Sequence, residues 1–441
     1  MAGWKVSPNL ALNQLVAQRQ AQGESIVHLA FGEARLPAFR PLVDRLVAGA
    51  GINAYGPVAG GLPVRTAAAG YFSRRRMPTE PDQIVVAPGS KPLLMALQLS
   101  VPGDLLLPRP AWNTYAPQAR LAGKQAFGVP IPDECGGVPE PTALRETIAD
   151  ARSRGHDPRI VVLTLPDNPT GTLASPALVR EICAIAEEED LLIVSDEIYR
   201  DVVHDPALPY LSPAEVSPER TVVVTGLSKS LAVGGWRIGV ARLPANEWGV
   251  RMRDGVVSVA SEVWSTLARP MQEVAEYAFG EPVEVRERLA ASARLHGAVA
   301  RAVHGIMVSA GADCRPPTGG FYVYPDFEPV RDVLAKRGVT DSLSLHQHLL
   351  DEFNVVVLPG HSLGDDERAL RFKAATSMLY GDTAEEQEQA LDAADPLALP
   401  HIRSVLARLE ESFARRRARR RRSGHRRRSG TPAGRGGGRP A

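Results

Sequence analysis

The chain has 441 residues, 44% hydrophobic and 23% charged, with three cysteines and a formal net charge of +1. That length predicts roughly two to three domains, and three cysteines without a CxxC pair argue against a disulfide scaffold or a zinc site. The longest apolar runs, such as 160–165 and 191–194, are far too short to cross a bilayer, and the first ten residues lack a basic start and apolar stretch, so a cytoplasmic location is expected.

The small net charge hides an asymmetry. Residues 415–439 hold twelve arginines and no acid; without them, 39 basic residues face 50 acidic ones, a balance of −11. The body is acidic and the tail is a polycation.

In chain order, residues 1–44 match neither texture that follows and are expected to join a small domain. Between 45 and 275, short apolar, β-branched runs read as buried strands at 83–88, 104–108, 159–165, 191–195, 221–226 and 237–242. Helical stretches separate them. Residues 175–190 open with Ser175 as cap and Pro176 at the first position, and place Leu178, Ile182, Ile185 and Ala186 on one face. Alternating strands and helices predict an α/β fold with a doubly wound, mostly parallel central sheet. From 276 to 414 the texture is that of a smaller α+β domain: a helical stretch over 282–310, the segments PPTGGFYVYPDF (316–327), NVVVLPG (354–360) and ALRFKAAT (369–376), and helical stretches over 383–394 and 400–413. Ile402, Val405, Leu406, Leu409 and Phe413 form the apolar side of the last. Residues 415–441 are low in complexity and expected to be disordered.

Ligands of open parallel sheets bind beyond the carboxyl ends of the strands. Gly89, Ser90 and Lys91 follow the first strand where a helix begins, an arrangement suited to phosphate. Asn168 centres the turn PDNPTGT after the third. Asp196 ends the fourth, with Tyr199 three residues on. Lys229 follows the fifth, in GLSKS. Each has a plainer reading: tight turn, turn residue, helix cap, packed phenol, solvated lysine. Their joint occurrence after successive strands is what carries weight. The set suits pyridoxal phosphate, whose phosphate calls for N–H donors and a cation, whose ring nitrogen calls for a carboxylate, and whose aldehyde calls for an amine. Only six lysines occur among 51 basic residues. Lysine can lose its proton to become a nucleophile; arginine effectively cannot.

Over about residues 25–380 the chain resembles the class I/II aminotransferases of the fold type I pyridoxal-phosphate enzymes. The resemblance rests on AYGPVAGGLPVR (54–65), PGSKPLL (88–94), PRPAWNTY (108–115), DNPTG (167–171), SDEIY (195–199), SKSLAVGGWRIG (228–239), PTGGFYVYPDF (317–327) and LRFKAAT (370–376). It implies that Lys229 binds the cofactor aldehyde and moves the substrate proton, and that Asp196 pairs with the ring nitrogen. Asn168 and Tyr199 would bond the ring hydroxyl, and Trp112 would stack on the ring. Gly89, Ser90, Lys91, Ser228 and Arg237 would hold the phosphate, and Tyr55 would reach the phosphate of a neighbouring subunit in a homodimer. Arg371 would hold the substrate carboxylate, and Gly32 would lie against the substrate. The implied reaction is amino transfer between an L-amino acid and a 2-oxo acid by a ping-pong mechanism. Alternatives are another outcome of the same cofactor (a lyase, a decarboxylase or a cyclising synthase), or a regulatory protein using its basic tail.

The chain departs from the family pattern at Glu33-Ala34-Arg35, after the substrate-side glycine, and at Thr225 and Gly226, where a Ser or Asn is common. Lys91 is the rival amine to Lys229, better suited to phosphate or surface contacts. His346 and His348, two apart on a helix, do not share a face, so a helix surface rather than a metal site is expected. The tail is expected to bind nucleic acid non-specifically at most.

Overall fold

A computed structural model describes residues 7–424. Among the described residues twelve strands run in chain order: β1 (Val27–His28), β2 (Ile84–Ala87), β3 (Asp104–Arg109), β4 (Ala126–Pro130), β5 (Pro158–Thr164), β6 (Leu192–Asp196), β7 (Thr221–Gly226), β8 (Gly239–Arg242), β9 (Tyr322–Val323), β10 (Val355–Val356), β11 (Leu358–Pro359) and β12 (Phe372–Ala375). Seven form the central sheet in the order β2-β8-β7-β6-β5-β3-β4. Strands β3 to β7 pair in parallel, while β8 runs antiparallel to both β7 and β2. Six of these strands match the apolar runs read from the sequence. The seventh, β4, has only Val129 buried, so this edge strand carries no apolar run to read.

Both faces of the sheet are covered, which explains the unbroken apolar runs. Leu105, Leu107, Val162 and Val194 pack on one side, with the helices Ser90–Ser100 and Glu247–Val263. Leu106, Val161, Leu163 and Ile193 pack on the other, with the helices Pro141–Ser153 and Pro176–Glu188. Ser175 caps the latter by accepting from the Leu178 amide, and Leu178, Ile182, Ile185 and Ala186 are its buried face.

The second core joins both ends of the chain. Val27 and Leu29 meet Val299 and Val303 of the helix Val283–Ser309, together with Phe327, Phe372 and Phe413. Strand β1 pairs in parallel with β10, and β9, β11 and β12 form a three-stranded sheet in the order β11-β12-β9. All three expected boundaries fall inside helices, the one at 275 inside the helix Arg269–Gly280. Residue 45 falls inside the helix Arg40–Gly49, whose Leu42 is buried with Phe72 and Phe279 on the large domain. The last helix runs Pro400–Gly424, so the start of the segment expected to be disordered at 415 is helical; 425–441 lie outside the described residues.

Candidate active site

A cavity of about 340 Å³ opens at the carboxyl edge of the central sheet. Asp196 is the last residue of β6 and 1% exposed. Its carboxylate accepts from the Tyr115 hydroxyl at 2.8 Å and from the Ile198 amide at 3.3 Å. Burial pushes its pKa up to about 6 against the pull of those bonds. It forms no ion pair with a described residue, so a buried acid waits for a cationic or protonated partner.

Beyond β5, the Asp167 side chain ties the turn by accepting from the Thr170 amide and hydroxyl at 3.1 and 2.6 Å. That bond pattern aims Asn168 into the cavity. Its Nδ2 lies 3.4 Å from the Tyr199 hydroxyl, and its Oδ1 is buried with no partner. Tyr199 in turn shares a 2.6 Å hydrogen bond with Tyr322.

Lys229 sits on a single helical turn, Leu227–Ser230, directly after β7. Its Nζ donates to the Gly32 carbonyl at 2.5 Å. Burial lowers its pKa to about 8; Arg237 and Lys91 act in the same direction, and Glu33 and Asp196 oppose. An amine so tuned is neutral far more often than a solvated lysine.

At the other end of the cavity, Ser90 opens the helix Ser90–Ser100 with Gly89 as its cap. Gly89 has φ +93°, and a Cβ there would lie 2.3 Å from Arg237 Nη2. Only glycine lets the guanidinium approach so closely. Arg237 Nη1 reaches the Ser228 hydroxyl at 3.5 Å and the Gly234 carbonyl at 2.9 Å. Free amides, a hydroxyl and a fixed cation make an anion cradle. Lys91 lies 5.2 Å from the ring centroid of Trp112, and both line the cavity.

Most residues singled out from the sequence therefore converge. Two do not. Tyr55 is 91% exposed and away from this cavity. Arg371, expected on the substrate carboxylate, does not line the cavity either: its Nε donates to Asp326 at 2.7 Å and its Nη1 lies 3.3 Å from Asp365. His346, expected on a helix surface, is buried. Among the described residues no group of three or more His, Cys, Asp or Glu is placed to hold a metal ion.

Three contributors escaped the sequence reading. Tyr115 lies in PRPAWNTY, three residues after Trp112, and its ring meets that indole edge-on at 5.3 Å. Tyr322 lies in PTGGFYVYPDF. Lys373 lies in LRFKAAT, and the rarity of lysine was the available signal: three of the chain's six lysines line one cavity.

The unpaired Asp196, the unpartnered Asn168 oxygen and the cradle at Ser90 and Arg237 fit a pyridine bearing phosphate and aldehyde. A pocket of this kind at this sheet edge defines a pyridoxal-phosphate enzyme of fold type I. The family profile for aminotransferase class I and II matches residues 25–387. An aspartate aminotransferase of Bacillus sp. (strain YM-2) is 30% identical over 84% of this chain and 93% of its own. An aspartate/prephenate aminotransferase of Thermus thermophilus is 29% identical over 81% and 88%. The solved Thermus thermophilus aspartate aminotransferase with maleate superposes with a TM-score of 0.75 at 26% identity, covering 89% of this chain and 98% of that one. The chain belongs to the class I and II aminotransferases, which use pyridoxal 5′-phosphate to exchange amino groups between amino and oxo acids. No helix among the described residues is long and apolar enough to cross a membrane.

Proposed function

We propose that this aminotransferase exchanges an amino group between an L-amino acid and a 2-oxo acid in a ping-pong cycle, with Lys229 as the amine that binds the cofactor and carries the substrate proton. One observation carries the reading: a buried lysine, a buried acid and an unpartnered amide oxygen face one cavity whose far end is an anion cradle.

Bound there, pyridoxal phosphate supplies an electron sink that acidifies the substrate Cα–H. The protein's residues do the rest. Asp196 holds the ring nitrogen in its protonated form. Asn168 and Tyr199 bond the ring oxygen, and the Tyr199–Tyr322 pair fixes the phenol's direction. Trp112 covers the ring. Gly89, Ser90, Lys91, Ser228 and Arg237 hold the phosphate. Lys229, buried and with a lowered pKa, would take the substrate Cα proton and hand it back within reach of its amine. Gly32, whose carbonyl holds the Lys229 amine, lies beside the substrate. Nearly full exposure of Tyr55 supports its reaching the site of a second subunit in a homodimer. The three cysteines are all free, which supports a cytoplasmic setting.

The test is a half-reaction without acceptor. Mixed with a panel of amino donors, the holoenzyme should yield one equivalent of 2-oxo acid per site and stop. Lys229→Ala should lower that yield rate by more than about a thousandfold. Continuous release of ammonia or carbon dioxide would instead identify a lyase or decarboxylase.

A further inference from the structure

We infer that His204, which lies outside the cavity, is a positioning residue: it fixes the turn 317–320 and through that turn holds Tyr322 on Tyr199. The role rests on the aminotransferase reading above, in which Tyr199 bonds the cofactor's ring oxygen.

Tyr322 meets the Tyr199 hydroxyl at 2.6 Å, and the chain reaches it through Gly319 and Gly320. Close packing demands both glycines. A Cβ on Gly319 would lie 2.5 Å from Pro166, and Gly320 has φ +63° beside the Tyr199 ring. Two glycines in a row also bring the widest backbone freedom. That freedom has to be removed from outside the turn.

Part of the restraint is backbone. The Thr318 and Gly319 amides donate to the Gly171 carbonyl at 2.8 and 3.0 Å, and the Gly320 amide donates to Val202 at 2.8 Å. These bonds engage the turn's N–H groups. His204 engages its carbonyls. The His204 amide donates to Thr318 at 3.0 Å. Its ring places Nε2 2.8 Å from the Gly320 oxygen and Nδ1 3.3 Å from the Pro317 oxygen. Both ring partners accept only, so the ring must donate. Burial lowers the ring's pKa against the pull of the two carbonyls, and Arg301 adds to the lowering. A neutral ring has one N–H, and the shorter contact, at Gly320, takes it.

His204 follows Tyr199 closely, across the single turn Arg200–Val202. One short segment thus carries the phenol and the group that holds the phenol's partner. The Tyr199 ring meets Phe321 and Tyr322 edge-on at 5.6 and 5.5 Å, so a shift of the turn moves both walls of that ring. A phenol that donates to the cofactor's ring oxygen favours that oxygen's charged form. Releasing the turn weakens the donation.

The experiment measures cofactor affinity of the full chain and the pH midpoint of the bound cofactor's visible absorbance. His204→Leu should weaken cofactor binding about 10-fold and raise the midpoint by about 0.5–1 unit. His204→Asn, whose amide reaches only towards Pro317, should do the same and serves where the leucine variant does not fold. His204→Gln sets an amide N–H where Nε2 stands and should stay within about threefold of the parent. In a Tyr322→Phe background, the loss from His204→Leu or His204→Asn should shrink to less than about threefold, because the hydroxyl being placed is gone. A histidine that only supports the fold would lower the melting temperature, leave affinity and midpoint unchanged, and add its effect to that of Tyr322→Phe. Unchanged readouts in the leucine and asparagine variants, or additive losses, overturn the proposal. Tyr199→Phe separates the underlying reading: if it moves neither readout, the assignment of Tyr199 to the cofactor falls, and the role of His204 falls with it.

Discussion

The Tyr115 hydroxyl donates a 2.8 Å hydrogen bond to Asp196 and lies 3.0 Å from the Thr164 hydroxyl. It is the side-chain donor on a carboxylate that burial alone would keep protonated. Tyr115→Phe should lower stability at pH 8 by about 1.5–3 kcal/mol, the worth of a bond to a charged group. The loss should shrink at pH 5, where Asp196 is largely protonated. Urea unfolding of the cofactor-free protein at both pH values checks this.

Asp196 itself should shape the pH dependence of that stability. Its folded pKa of about 6 lies above the ordinary 3.8. The stabilisation from its neutral form is therefore complete below about pH 4 and lost as pH rises through about 6. Asp196→Asn should remove this fall, on the order of 3 kcal/mol between those limits. In the holoenzyme the same change should slow turnover, because a neutral amide does not hold the ring nitrogen's proton.

Lys229 must be neutral to attack an aldehyde. With its pKa near 8, cofactor uptake by the cofactor-free protein should accelerate about tenfold per pH unit below that value and level off above it. Glu33 raises this pKa, so Glu33→Gln should move the midpoint to lower pH. Stopped-flow absorbance across pH 6–9 measures both, roughly spanning the ordinary and lowered ranges.

Gly226 stands where the resemblance leads one to expect a Ser or Asn. A Cβ there would sit 2.5 Å from the Ile238 carbonyl oxygen and 3.2 Å from Gly239 Cα, its strand partner. Gly226→Ser should destabilise the protein by about 1–3 kcal/mol, as overpacking does. The departure from the family pattern is thus a matter of strand contact, and denaturant unfolding is its check.

Tyr55 should matter only in an assembly. Tyr55→Phe should weaken cofactor binding by about 3- to 10-fold, the worth of one hydrogen bond, under conditions where the protein sediments as a dimer. On dilution to monomer the parent and the variant should bind the cofactor alike.

The sequence by itself determined the scaffold and half of the chemistry. Apolar runs named six of the seven central strands, and the rule that ligands gather beyond strand ends brought Asn168, Asp196, Tyr199 and Lys229 to one place. Those residues lie within a few positions of a strand end, so local spacing suffices to locate them. Strand β4 was not legible, because an edge strand buries one side chain and needs no pattern. Tyr115 and Tyr322 act through partners 81 and 123 residues away, Asp196 and Tyr199. Such pairings exist only in three dimensions.

Arg371 and Lys373 show the limit most directly. Both are cations two positions apart, Arg371 just before β12 and Lys373 within it. Nothing within LRFKAAT says which one meets the cavity. The fold decides it by placing Asp326 and Asp365 against the arginine, while Lys373 lies beside the Tyr322 ring among the buried charges of Lys229 and Asp167.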